Sequence, residues 1–153
     1  MNKQIDPIKK IRFFLLELVK DLSADELNEI PSSFNNNIAW NLGHLIAAQQ
    51  GVCYLRANAK PAVDEKYIAT YKSGTKPEQY IDNSELSIIK TLMLSSIDQL
   101  QADYENNVFT HYTAWRTRYG VELANIDDAI RFLAFHEGLH NGYITALKKL
   151  VKK

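Results

Sequence analysis

The chain has 153 residues, of which 46% are hydrophobic and 24% charged, a composition typical of one globular domain with a single core. Its 18 basic and 18 acidic residues cancel, so no overall positive field favours nucleic-acid binding. The single cysteine excludes an internal disulfide. The sequence contains neither an apolar signal core at the N-terminus nor an apolar run long enough to span a membrane. We therefore expect a single domain over residues 1–153, located in the cytoplasm, without a nucleic-acid or membrane partner.

The first helix is predicted from Pro7 to about residue 22, because apolar residues recur there at helical spacing. Asp6 is the expected N-cap, since proline is favoured in the first turn of a helix. Ser23 and Glu26 have the spacing of a capping box, which predicts a short helical turn after this helix.

The second helix is predicted to begin after the asparagines at 35–37, which are good N-caps, and to end near Asn58. Residues 59–82 show no sustained period and contain proline and glycine, so they are predicted to form a long connection. At about 3.3 Å per residue this connection extends roughly 80 Å, and a 22-residue helix spans only about 33 Å. The connection can therefore return along the whole helix, which lets the second and third helices run parallel.

The third helix is predicted over about 83–106, because apolar residues recur there at helical spacing. A second long connection follows, in which the alternation of residues 109–118 allows a short strand. Asn125 or Asp127 is expected to cap a fourth helix, which ends in the basic residues 148–153. Four helices of this length predict an all-α four-helix bundle with long crossover connections.

Three of the four histidines form a candidate metal site. His136 and His140 stand at i, i+4 spacing, so both imidazoles leave one face of a helix and can bind one ion. His44 lies in the second predicted helix, close to small residues that leave room for an ion and a ligand. Three neutral imidazoles with an open fourth position are typical of a catalytic metal site. The alternative is a polar core network of hydrogen-bonded imidazoles.

Other side chains near this group receive separate interpretations. Trp40, Asn41 and Tyr143 are candidates for the wall of the site, because they lie within about one helical turn of the candidate ligands. His111, in the second connection, is interpreted as a surface or loop-anchoring histidine. Cys53 is interpreted as a buried structural thiol.

Glu137 completes a His-Glu-x-x-His pattern, in which it would be the general base of a zinc peptidase. Two observations argue against a peptidase. Residues 141–153 contain no His, Asp or Glu that could be a further ligand, and no strong strand pattern is present to pair with a peptide. Three roles stay open for Glu137: it holds a ligand histidine, it is a catalytic base, or it faces solvent. We retain it as the candidate catalytic residue.

The pattern Ile-Ala-Trp-Asn-Leu-Gly-His-Leu at 38–45, together with His-x3-His in the last helix, resembles the DinB-like (DinB/YfiT) superfamily. The Ser-Gly-Thr-Lys-Pro loop at 73–77 is also similar, and the resemblance covers nearly the whole chain. It implies a four-helix bundle of up-down-down-up arrangement and a homodimer. It also implies a divalent metal ion, nickel or zinc in many members, held by His44, His136 and His140.

The resemblance also implies a chemistry. Characterised relatives include transferases and isomerases that use a low-molecular-weight thiol, and others are classed as hydrolases; DNA binding is not implied. The leading hypothesis is a metal-dependent enzyme that activates water or such a thiol toward a small-molecule substrate, as a hydrolase or a thiol S-transferase. The alternatives are a non-catalytic metal- or ligand-binding bundle and a zinc peptidase. A catalytic role for Glu137 is not implied by the resemblance.

Overall fold

The computed structural model describes residues 2–152, and their secondary structure is mostly helical, as predicted. Among these residues, no helix has both the length and the apolar character that crossing a lipid bilayer requires. The elements, in chain order, are α1 (Asp6–Val19), α2 (Ala24–Asn28), α3 (Ile38–Gln49), a π-helical segment (Gln50–Tyr54), a 3-10 turn (Leu55–Ala57), α4 (Glu65–Tyr71), α5 (Asn83–Glu105), β1 (Trp115–Arg116), β2 (Glu122–Leu123) and α6 (Ile126–Val151).

Side-chain caps begin most of these helices where the sequence predicts them. Asn37 and Asn125 accept hydrogen bonds from backbone N–H groups in the first turns of α3 and α6. The predicted capping box at Ser23–Glu26 is present and begins α2. The prediction that Asp6 caps the first helix is wrong. Asp6 is itself the first helical residue, and Ile5 occupies the N-cap position without a side-chain hydrogen bond.

Residues 59–82, predicted as a connection without a helix, contain the short helix α4. Asp64 begins this helix by accepting a hydrogen bond from Tyr67 N at 2.7 Å. With seven residues, α4 is too short for the apolar periodicity that identifies longer helices. The second predicted helix ends near Asn58, as expected, because the π-helical segment and the 3-10 turn extend α3 to that residue. The left-handed conformation of Asn58, with a φ of 52°, ends the helical run.

The four longest helices pack against one another: α1 and α3 each contact both α5 and α6. Buried aliphatic side chains fill the space between them, among them Leu15, Leu42, Ile89 and Leu147. This packing places α3 beside α6, which is the arrangement that the candidate metal site needs. The up-down-down-up direction of the helices and the single domain over residues 1–153 stay predictions.

A small hairpin lies between α5 and α6. Strand β1 pairs antiparallel with β2, so the short strand that residues 109–118 allow is present. Thr117 N donates to Val121 O at 2.8 Å, and Gly120, with a φ of 79°, supplies the left-handed conformation of the turn. The hairpin matters for the site because its residues form one wall of the cavity described below.

Candidate metal centre

The structure brings His44, on α3, together with His136 and His140, on α6. One ligand nitrogen from each lies within 4.8 Å of those of the other two, and His44 Nε2 is 3.3 Å from His136 Nε2. Because α3 packs against α6, residues more than 90 positions apart in the chain meet at one point. This group could hold a metal ion.

The imidazole of His44 is fixed by two contacts. Its Nδ1 lies 2.7 Å from the carbonyl oxygen of Tyr71, which can only accept, so Nδ1 carries the proton and Nε2 is bare. The indole of Trp40 stacks on the imidazole, with ring centroids 4.8 Å apart and planes inclined by 8°. The carbonyl therefore sets the tautomer and the indole sets the plane of the ring, so that Nε2 is available to a metal ion.

The imidazole of His140 is held in a similar way by Asn41. The distance from His140 Nδ1 to Asn41 Oδ1 is 2.8 Å. Asn41 Nδ2 donates to Asn36 Oδ1 and to Asn37 O, and these bonds assign the orientation of the amide. Asn41 Oδ1 therefore accepts from Nδ1–H of His140, and the Nε2 of His140 is also bare.

The donor set fits a divalent cation. His44 and His140 direct bare lone pairs at the same region, and the buried Nδ1 of His136 has no hydrogen-bond partner within residues 2–152. Burial lowers the pKa of all three imidazoles, that of His140 to about 3, which keeps them in the neutral form that binds metals. Three neutral imidazoles suit zinc or nickel.

Replacing Asn41 with alanine is expected to weaken metal binding by about 10- to 100-fold, because His140 loses the acceptor that fixes its tautomer and orientation. Asn41→Asp keeps an acceptor for His140 but loses the two hydrogen bonds that Nδ2 donates, so its affinity should fall less than that of Asn41→Ala. The measurement is a competition titration against a chromophoric chelator, with circular dichroism to establish that the variants are folded. The exposed Asn35 supplies the control substitution Asn35→Ala. Equal affinities in folded Asn41→Ala and wild type would contradict the assigned role.

The structure explains why the motif at 38–45 has a glycine at position 43. A Cβ atom at Gly43 would lie 2.6 Å from the ring of Tyr71, so only glycine lets this ring pack closely against α3. That packing brings the Tyr71 carbonyl to His44. Sequence reasoning missed Tyr71 because the interaction uses a backbone carbonyl, which any residue type supplies.

A cavity of about 660 Å³ lies beside His44 and His136. Its walls come from α3 with its extension, α4, the hairpin and α6. None of the three predicted wall residues, Trp40, Asn41 and Tyr143, is among the described residues that line this cavity. Asn41 and Trp40 instead contact the imidazoles of His140 and His44. The ring of Tyr143 packs edge-on against another aromatic ring, 5.6 Å away.

Glu137 faces the protein core, so the interpretation that it faces solvent is wrong. Its side chain is fully buried, and Oε1 accepts hydrogen bonds from Arg12 Nε at 2.9 Å and Arg12 Nη2 at 2.7 Å. Burial raises the pKa of Glu137, and the Arg12 guanidinium opposes that rise. Glu137 is also absent from the described lining of the cavity. This placement favours a structural role over the predicted catalytic one.

Arg12 connects the four longest helices through one buried network. Beyond Glu137 on α6, its guanidinium donates to Leu45 O and Gln49 Oε1 on α3 and to Ser96 Oγ on α5, at 2.9 to 3.0 Å. Sequence reasoning missed Arg12, although a signal existed. It lies at a buried position within the apolar stripe of α1, where a charged residue needs a partner.

The two remaining candidates lie where the sequence places them. His111 is exposed, in agreement with its interpretation as a surface or loop histidine. Cys53 is buried, and burial raises the pKa of its thiol to about 12, so the thiol is protonated and packs as a small apolar group.

Comparison with known proteins agrees with this arrangement. A sequence model described as the DinB superfamily matches residues 12–144, a range that contains all three histidines and most of the chain. No curated protein matches the chain significantly. Since the match extends far beyond half of the chain, the protein is a member of the DinB superfamily.

Proposed function

We propose that this protein is a metal-dependent enzyme, built on a four-helix bundle of up-down-down-up arrangement, in which His44, His136 and His140 hold one divalent ion, zinc or nickel. The observation that carries the proposal is the convergence of three imidazole nitrogens, two of them with bare Nε2 atoms, beside a large cavity. When bound, the ion would lower the pKa of a bound water or thiol and so supply a nucleophile near neutral pH.

The residues of the chain orient the candidate ligands and form the cavity beside them. The Tyr71 carbonyl and Asn41 hold the ligand imidazoles, so the donor set is organised before an ion arrives. The cavity of about 660 Å³ has the size of a small-molecule site. Its walls include the apolar side chains of Leu55, Ile68 and Phe132. A small-molecule substrate and a low-molecular-weight thiol are the partners that this site would accept.

Hydrolysis and thiol transfer differ in which molecule takes the open position beside the histidines. We would load the protein with cobalt(II) and add a low-molecular-weight thiol. A saturable thiolate-to-metal charge-transfer band is the expected result, and His136→Ala should remove it. Absence of the band, together with turnover of ester or amide substrates, would favour a hydrolase over a thiol transferase. Absence of both would favour a non-catalytic metal-binding protein.

The peptidase alternative receives no support from the site. A peptidase of the His-Glu-x-x-His type needs the carboxylate of Glu137 beside the reacting water, and here it is bonded to Arg12 in the core. The homodimer stays a proposal, tested by sedimentation of the purified protein. The cytoplasmic location stays a prediction.

A further inference from the structure

We propose that the cavity beside the three histidines selects an anionic small molecule, a carboxylate or phosphate joined to a flat apolar group. The assignment rests on the proposed function in one respect: it describes the substrate of the same site. The binding of the anion to the metal-free protein is nevertheless a separate property and can be measured separately.

The charge of the cavity wall is one-sided. Arg56, Lys72 and Arg118 line the cavity, and no aspartate or glutamate is among its described lining residues. None of the three cations takes part in an ion pair within residues 2–152. Because the chain as a whole has as many acidic as basic residues, this local excess of positive charge is a property of the cavity and not of the composition.

Aromatic rings hold the two guanidinium groups. Arg56 Cζ lies 4.7 Å from the ring centroid of Trp115, and Arg118 Cζ lies 5.0 Å from that of Tyr119. Arg118 Nη2 also donates a hydrogen bond to the Tyr119 hydroxyl at 2.8 Å. The other N–H groups of each guanidinium remain available to a carboxylate or phosphate. The aromatic contacts therefore prepare both groups for a planar or tetrahedral anion.

Arg118 lines the same cavity as two of the candidate ligands, His44 and His136. An anion bound by Arg118 would therefore lie in the cavity that these two imidazoles also line.

The rest of the wall suits an apolar body. Trp115, Tyr119 and Phe132 supply aromatic surface, and Leu55 and Ile68 supply aliphatic surface. Burial of apolar surface provides affinity in such a cavity, and the few charged groups provide orientation. A ligand with an anionic group and a flat apolar body would contact both the cationic and the apolar side chains of the wall.

The test is calorimetric titration of chelator-treated, metal-free protein with 1-naphthylacetate, 1-naphthyl phosphate and the neutral 1-naphthalenemethanol. We expect at least one anion to bind about tenfold more tightly than the neutral compound, and Arg118→Gln to remove that preference. The matched control is Arg116→Gln on the same hairpin, since Arg116 is exposed and does not line the cavity. Comparison of the two anions distinguishes a carboxylate ligand from a phosphate.

Equal binding of the neutral compound, an unchanged preference in folded Arg118→Gln, or no binding of either anion would overturn the inference. The failure of the metal proposal would look different. In that case the histidines would bind no ion, while the metal-free protein would still prefer the anions. If the protein bound a metal ion but showed no preference for the anionic compounds, the metal proposal would stand and the present inference would be wrong.

Discussion

Replacing Glu137 with alanine is expected to lower the free energy of unfolding by about 3–5 kcal/mol, because the substitution leaves Arg12 charged and buried without its counter-ion. Both side chains are fully buried in the wild type, so water cannot replace the lost carboxylate without opening the core. Arg12 also donates to groups on α3 and α5, so the loss should affect the packing of several helices at once. The measurement is equilibrium unfolding in urea, followed by circular dichroism.

Two further variants separate a structural role of Glu137 from a catalytic one. Glu122→Ala breaks an exposed pair with Arg116, whose nearest atoms are 3.9 Å apart, and should change the unfolding free energy by less than about 1 kcal/mol. Glu137→Gln keeps an acceptor for Arg12 and should be less destabilised than Glu137→Ala. A Glu137→Ala variant as stable as the wild type would contradict the structural role. A stable Glu137→Gln variant that binds metal but has lost turnover would support the catalytic one.

Replacing His136 with alanine is expected to lower metal affinity by more than the roughly 10- to 100-fold caused by loss of a residue that only orients a ligand. His136 supplies one of three converging nitrogens and lines the cavity, so its removal leaves two ligands and a gap. Isothermal titration with zinc and with nickel measures the loss. A second readout is thermal unfolding, because an ion that binds only the folded state raises the transition temperature of the wild type.

The control for this substitution is His111→Ala, which removes an exposed histidine outside the group of three. It should leave both the affinity and the metal-dependent rise in transition temperature unchanged. If His136→Ala bound zinc and nickel as tightly as the wild type, His136 would not be a ligand, and the group would be better described as a polar core network.

Local patterns in the sequence predict which two histidines of α6 lie together, because the relevant geometry is that of a single helix. The i, i+4 spacing places His136 and His140 on one face of α6, and the asparagine caps identify where α3 and α6 begin. His44 needed more than spacing. The small neighbours of His44 and the sequence motif at 38–45 identify it as a candidate ligand. The structure gives the physical basis of that motif, because Trp40 stacks on His44 and Asn41 contacts His140.

The environment of Glu137 could not be predicted in the same way. Its partner Arg12 lies 125 residues away, and helical periodicity says which side of α6 Glu137 occupies but not which helix packs there. The contact between Tyr71 and His44 depends on a backbone carbonyl, and α4 was too short to show a period. Contacts of this kind depend on the tertiary arrangement, which the sequence pattern specifies only indirectly.

The most direct measurement of the central claim is the metal content of the wild-type protein, purified without a histidine tag and analysed for zinc and nickel. We expect about one equivalent of metal per chain, since three converging imidazoles form one site. Absence of metal, both as purified and after incubation with each ion, would contradict the claim. The three histidines would then form a hydrogen-bonded network in the core, and the proposal of a metal-dependent enzyme would fall.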